Sequence, residues 1–329
     1  MSERKGIIGA GNWLVDNIKY IDRWAGEGNL ANILGQERAT GGGPANVLFD
    51  LAAMDCGIPL YAAGRIGRDA LGDYLLEEIK KRGIDASNII YTDTPTSYSD
   101  VMSGNGKRSF FCCRGANAEF DCTDVENISF PARWFYLGYL LLLDKLDSED
   151  PEYGTRGARL LDMMQKKGYL TIVDFVSEAP EKFRRVVKAA LPYIDALVIN
   201  EVEAGSTFDL PTCNADGTAN IDAIREAAKL FMESGVKKYV IIHYRDGAYG
   251  ISSDGSECEV PSFPADTIVG TNGAGDAFCA GVLYALHENM SLPEMLRYGS
   301  ASAIFNLRSA SASGGAASLT EIQDYLANH

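Results

Sequence analysis

The apolar positions of this chain follow two rhythms, one of short strand-like runs and one of helical spacing. Residues 6–11 read as a first strand running into a loop, and residues 46–54 have helical periodicity. Residues 60–64 form a short strand. Residues 70–82 make an amphipathic helix that Gly83 ends. Segments 89–92, 98–103 and 108–113 read as strands separated by turns, one of them Gly104-Asn105-Gly106-Lys107. Beyond residue 130 strands and helices alternate. Strands are expected at 134–137, 170–174, 195–199, 238–243 and 248–252, and helices at 154–167, 181–190, 221–234, 276–289, 293–306 and 320–327. Such alternation predicts an α/β fold whose parallel sheet is covered on both faces by helices. The β-rich piece at 89–113, with 12–42, would form a smaller extra sheet. No internal repeat or low-complexity linker interrupts the 329 residues.

Composition narrows the function more than the fold. Of the residues, 46% are hydrophobic and 23% charged, an ordinary globular balance. The net charge of −15 and the lack of any basic block argue against nucleic-acid binding, which needs clustered Lys and Arg. Seven Cys with no CxxC pair read as free thiols, which suits a reducing cytoplasm. Met1 to Lys5 lead into a short strand with no long apolar region, so neither a signal peptide nor a membrane span is expected. The three His are His243, His287 and His329. So few imidazoles leave little room for a hydrolytic triad or a His-ligated metal. Carboxylates, amides and backbone groups must carry any chemistry.

Gly270-Thr271-Asn272-Gly273-Ala274-Gly275-Asp276 precedes the apolar run Ala277 to Leu286. The pattern predicts a tight turn feeding a helix N-terminus. The N–H groups of Gly273, Ala274 and Gly275 would have no helical partners, and the helix dipole would favour an anion above them. Asp276 beside that anion site is either a helix cap or a group that abstracts a proton near a phosphate. Gly41-Gly42-Gly43-Pro44-Ala45-Asn46 precedes the first long helix. It is either a tight turn or a place where a ligand approaches the backbone, with Asn46 suited to hydroxyls. Asp16 follows the first strand, and ligands of parallel sheets bind at the carboxyl ends of strands. Asn200-Glu201-Val202-Glu203, just after another strand, could organise Mg²⁺ through water or cap the next helix. In Gly9-Ala10-Gly11 the third glycine of a dinucleotide motif would fall at Leu14, so that reading is set aside.

These elements together resemble the ribokinase-like (PfkB) family of carbohydrate kinases over essentially the whole chain. Gly41-Gly42-x-x-x-Asn46, continuing to Gly64-Arg65-Ile66-Gly67-Arg68-Asp69-Ala70-Leu71-Gly72, is similar to the family's N-terminal signature. Thr271-x-Gly273-Ala274-Gly275-Asp276 matches its C-terminal motif, Asn200 and Glu203 its N-x-x-E, and Gly115-Ala116-Asn117 its Gly-Ala-Asn element. The resemblance implies a ribokinase-like three-layer sandwich, a single domain over 1–329 with a mostly parallel central sheet. It also implies a small β-sheet lid from about 12–42 and 89–126, through which two subunits would pair. It implies transfer of a phosphoryl group from ATP, with Mg²⁺, to a sugar hydroxyl, ribose- or fructose-like. Asp276 would be the general base, and the Gly273, Ala274 and Gly275 amides the anion hole. Asn12, Asp16, Gly41, Gly42, Asn46, Arg114 and Asn117 would face the sugar. Asn200, Glu203, Thr271, Asn272 and Gly247 would face the nucleotide, Glu203 positioning Mg²⁺ through water.

Three departures from the family pattern matter. Gly270 stands where the family usually has an Asp that helps bind a monovalent cation, which puts such activation in doubt. Gly43 stands where many ribokinases carry Lys. Tyr244 replaces the usual Gly in Ile242 to Gly247, a loop that borders the nucleotide in the family. A nucleoside kinase on the same scaffold is an alternative, for which Trp13, Trp24 or Phe110 would have to supply a slot for the base. A catalytically weak sugar-binding member of the family is another.

Overall fold

Strand β1 (Gly6–Gly11) is buried along its whole length, because every residue in it is glycine, alanine or isoleucine. In the computed structural model, which describes residues 5–176 and 180–329, it lies inside the large sheet. Residues 1–4, part of the stretch read for a leader, lie outside that range.

Among the described residues the large sheet has nine strands. Besides β1 they are β4 (Leu60–Gly67), β5 (Asp85–Thr92), β8 (Ala132–Leu140), β11 (Leu170–Phe175), β12 (Ala196–Asn200), β13 (Tyr239–Tyr244), β14 (Gly247–Ser252) and β15 (Glu257–Pro261). Their order is β15-β14-β13-β12-β11-β8-β1-β4-β5, parallel from β5 to β13 and antiparallel over the last two pairs. A four-stranded sheet stands apart, ordered β3 (Ile33–Gly41), β2 (Leu14–Ile21), β6 (Tyr98–Gly104) and β7 (Lys107–Cys113). The pair β9 (Glu149–Asp150) and β10 (Gly154–Thr155) makes a two-residue ladder.

The helices are α1 (Gly43–Met54), α2 (Ala70–Lys81), α3 (Asp144–Asp147), α4 (Arg156–Lys166), α5 (Pro180–Ala190), α6 (Glu201–Phe208), α7 (Ile221–Glu233), α8 (Ala274–His287), α9 (Leu292–Asn306) and α10 (Leu319–Asn328). The period-2 alternation of strand side chains splits the core into two layers. Ile8, Phe135 and Leu137 pack with Leu160, Val187 and Phe231 on one face. Ile7, Trp134 and Tyr136 pack with Leu48, Leu283 and Leu296 on the other. Helices therefore cover both faces, which gives the expected three-layer α/β sandwich.

Several boundaries differ from the expectations, each for a local reason. Residues 89–92 are not part of the small sheet, since β5 pairs with β4 at the edge of the large one. Gly115–Glu119 and Cys122–Asp124, inside the expected lid segment, are 3-10 turns. Helix α1 begins at Gly43 rather than residue 46, because Pro44 falls in the first turn, where a missing N–H costs nothing. Residues 154–155 pair with β9, and the hydroxyl of Thr155 then caps α4. Edge strand β15, which alternates half-buried with exposed residues, was not expected, while the short α6 is the helix that the Asn200–Glu203 capping reading required.

Candidate active site

A cavity of about 790 Å³ opens between the two sheets at the carboxyl ends of the parallel strands. Its wall takes residues from both sheets and from the starts of α1, α6 and α8.

Helix α8 carries Asp276, the carboxyl expected to act as the base. Gly273 is its N-terminal cap, at φ 74°, with no capping side chain. A Cβ at Gly273 would meet the Ala312 carbonyl oxygen at 2.2 Å, so backbone packs there with no room for a side chain. Asp276 is thus not the cap but the acidic residue of the first turn. Ala274 N–H makes a 3.4 Å turn bond to the Thr271 carbonyl. No described group takes the N–H of Gly273, Gly275 or Asp276. These N–H groups therefore start an open anion site, with Ala274 less free than its neighbours.

Asp276 is buried, and burial pushes its carboxyl up to about 6. Two donors moderate the rise. Tyr139 OH donates to Oδ1 at 2.5 Å, and Asn46 Nδ2 donates to Oδ2 at 2.9 Å. Each carboxylate oxygen keeps a second lone pair for an incoming hydroxyl. Asn46 lies in the first turn of α1, and its buried Oδ1 has no partner among the described residues. Gly42 caps α1 at φ 92°, where a Cβ would strike the Asn12 carbonyl oxygen at 2.1 Å.

Asp16 reaches the cavity from β2, in the small sheet. Burial, with the Asp276 charge next, pushes its carboxyl up to about 7. A Cβ on Gly41 would lie 2.6 Å from Asp16 Oδ2, so the bare backbone there makes room for the carboxyl. Arg114 also lines the cavity, and its Nη1 donates to the Leu141 carbonyl at 3.3 Å.

Asn200 and Glu203 both cap a helix and reach the cavity. The two form a capping box at the start of α6, with bonds of 2.9 and 3.1 Å. Both also line the cavity. Burial pushes Glu203 up to about 8. Asp174, at the end of β11, is pushed well above the usual carboxylate range by burial and by Glu203. The two carboxyls are oxygen donors of the kind Mg²⁺ takes. Among the described residues no group of three or more His, Cys, Asp and Glu could hold a metal directly. A donor set this sparse fits an ion held mostly by water and phosphate.

Not every expected residue reaches the cavity. Asn12 instead braces its floor, its Oδ1 accepting Tyr139 N–H at 2.6 Å and its Nδ2 donating to Leu142 O at 3.3 Å. Asn117 is buried, bonded through its side-chain amide to both backbone groups of Trp13. Thr271 is exposed, Asn272 lines the wall, and Gly247 sits against Tyr244 and the Val260 carbonyl outside it. Tyr244 bonds Glu259 at 3.1 Å and does not line the cavity. Trp13 is fully buried with its Nε1 on the Ala63 carbonyl, so it forms no slot for a base. Trp24 bonds Gly104 O outside the lining, whereas Phe110 is on it.

Sequence reasoning passed over Tyr139, Asp174 and His243. All three lie near the carboxyl ends of parallel strands, which is the signal that could have found them. His243 packs against Phe278 at 4.9 Å, and burial pushes its imidazole down to about 4, so it is neutral at pH 7.

Comparison with known proteins agrees with this architecture. Residues 12–318 match the pfkB family carbohydrate kinase family, and the chain belongs to that family. It is a sugar kinase by class, a phosphotransferase with a hydroxyl acceptor. It is 26% identical to the 5-dehydro-2-deoxygluconokinase of Geobacillus kaustophilus, over 88% of this chain and 85% of that one. It is 23% identical to the ketohexokinase of Mus musculus, over 90% and 94%. The fold superposes on Arabidopsis thaliana ribokinase complexed with ribose and ATP, with a TM-score of 0.79, 23% identity and 98% of each chain covered. No helix among the described residues is long and apolar enough to cross a membrane.

Proposed function

We propose that the protein transfers the γ-phosphoryl group of ATP to a hydroxyl of a small sugar. One observation carries the reading. Asp276 is held by Asn46 and Tyr139 in the wall where Asp16 meets the open N–H groups of α8. A hydroxyl bound by Asp16 and Asn46 would face Asp276 on one side and an anion site on the other. As the oxygen attacks phosphorus, its proton passes to the Asp276 carboxylate. The bond from phosphorus to the β-phosphate oxygen breaks, and ADP leaves. The amides of Gly273 and Gly275 stabilise charge on the transferring group. Bound Mg²⁺ would neutralise charge on the phosphates. Glu203 and Asp174 would hold its water shell, and Asn200 fixes Glu203 in place.

The four strands β3-β2-β6-β7 act in this reading as a lid that excludes water from the transfer. The lid also leaves Leu34 at 72% and Phe111 at 61% exposure. A second copy of the chain covering these side chains accounts for them. Sedimentation is expected to show a dimer, and a monomer at micromolar concentration would overturn that pairing.

The acceptor is tested by coupled ADP release against a panel of pentoses, hexoses, sugar acids and nucleosides. The relatives' names put six-carbon keto sugars and keto sugar acids at its head. ATP-dependent turnover on one sugar is the expected outcome. Turnover on nucleosides alone would replace the sugar by a nucleoside. Ligand binding with no turnover anywhere would sink the active-kinase reading.

A further inference from the structure

Asp50 lies in the second half of α1 and is only 2% exposed. Neither of its carboxyl oxygens has a hydrogen-bond partner among the described residues. One helical turn earlier stands Asn46, the residue whose Nδ2 holds Asp276. Side chains four positions apart on a helix lie one above the other on the same face. The bond from Asn46 to Asp276 turns that face of α1 toward α8. Asn46 has a deficit of its own, because its Oδ1 is buried and unbonded. That oxygen is closed to solvent, so a sugar in the cavity cannot supply its donor.

The two deficits fit each other. An amide oxygen and an ionised carboxylate can only accept, whereas a protonated carboxyl has an O–H to give. A charge on Asp50 would be costly, since neither oxygen is bonded. Burial pushes the carboxyl well above its usual range, the Asp276 charge adds to this, and Arg82 opposes it. Three elements pack most heavily on α1, namely α8, β1 and β8. Besides Asp276, burial holds Cys279 of α8 and Tyr136 of β8 neutral, and β1 has no titratable side chain. Asp50 therefore keeps a hydrogen one turn away from an acceptor that lacks one. Without that bond the Asn46 amide could turn over and offer Oδ1 to Asp276, which would favour the protonated form of the base.

We infer that Asp50 is a positioning residue, whose protonated carboxyl donates to Asn46 Oδ1, directly or through one buried water, and so keeps Asn46 Nδ2 turned toward Asp276. The inference rests on the kinase reading for its effect on rate. Asp50 does not line the cavity, and its influence on the transfer passes through Asn46. That influence is greatest once Asp276 has taken the proton of the hydroxyl and no longer attracts Nδ2 by charge. The amide then keeps its orientation until the proton leaves.

The test compares Asp50→Leu and Asp50→Asn with the parent protein. Leu keeps the branched outline of Asp but has nothing to donate, whereas Asn keeps a donor in its Nδ2. The bond from Asn46 favours the charged form of Asp276. Asp50→Leu should therefore move the acid limb of the pH–rate profile to higher pH. The expected shift is about half to one pH unit, the size of one net hydrogen bond on that scale. Asp50→Asn should bring most of the shift back. A limb that moves to lower pH in both variants overturns the inference, because a negative charge on Asp50 was then opposing the ionisation of Asp276. An unmoved limb in Asp50→Leu overturns it too, and leaves Oδ1 to another donor such as the buried, unbonded Tyr136 OH beside Gly43. Infrared difference spectroscopy gives a reading that needs no substrate. The parent minus Asp50→Asn should show the C=O stretch of a protonated carboxyl near neutral pH. A carboxylate band in its place overturns the inference even if no acceptor in the panel turns over, so failure of the kinase reading and failure of the Asp50 assignment are separable. Both readings on Asp50→Asn stand if Asp50→Leu does not fold.

Discussion

Asp276→Asn should abolish most turnover while sparing binding, with kcat falling by about 10²–10⁴-fold, the usual contribution of a placed base. Sugar and nucleotide affinities should change little, because the amide still fits between Asn46 and Tyr139. The parent's rate should also fall on acidification. Burial sets the Asp276 carboxyl at about 6, so the base is charged above that pH and takes a proton below it. The rate should drop about tenfold per pH unit on the acid side of the limb. Tyr139→Phe removes a donor that favours the charged form. Its acid limb should therefore move to higher pH. A pH–rate profile of the three proteins decides this. A variant Asp276→Asn that keeps more than about a tenth of kcat removes Asp276 from the role of base.

Glu203→Gln should make the protein more stable and less active. Burial raises the Glu203 carboxyl from 4.5 to about 8 in the folded chain. The folded state then holds a proton that the unfolded chain releases near its ordinary value. The stability linked to that proton is complete below the unfolded value and is lost as pH rises through the folded one. Gln carries no charge to desolvate and can still accept from Asn200 N–H, so the helix cap survives. At pH 8 the variant should gain on the order of 1–3 kcal/mol, a rise of several degrees in melting temperature, and at pH 4 almost nothing. Activity should fall and demand more Mg²⁺. Scanning calorimetry of both proteins across pH 4–8 checks the sign. A variant that melts lower at pH 8 would show that Glu203 stabilises the fold as a charge. The conflict is the familiar one, in which a binding site stores unfavourable burial for the sake of its ligand.

Much of this arrangement can be read from residue order alone. The turn before Ala277 and the glycines before Asn46 are both backbone features with no side chains to hide them, and both lie where expected. The alternating segments after residue 130 fall where the pattern put them, because parallel strands buried on both faces write themselves as apolar runs. Long-range choices were less visible. Whether 89–92 pairs with the large or the small sheet depends on β4, which is distant in sequence, and nothing within the segment decides it. The family resemblance put Asn12 and Asn117 on the sugar, and composition alone does not tell a binding amide from a buried one. Only their partners, the Tyr139 N–H and the Trp13 backbone, reveal braces. Tyr139 went unseen for the opposite reason. A tyrosine among apolar strand residues reads as core until its hydroxyl is found on Asp276.

The bond between Asn46 and Asp276 spans 230 positions, and that has a consequence for how the protein is made. During synthesis Asn46 leaves the ribosome long before Asp276 exists. Helices α8 and α9, which add Leu283 and Leu296 to the face that α1 and α2 cover only in part, are among the last elements made. Until then the face of Ile7 and Trp134 is covered only in part, by α1 with Leu48. The nascent chain therefore passes through an interval with part of one sheet face exposed, the condition in which aggregation competes with folding. The bond between Asn46 and Asp276, and with it the wall of the cavity, can form only when α8 docks late in synthesis.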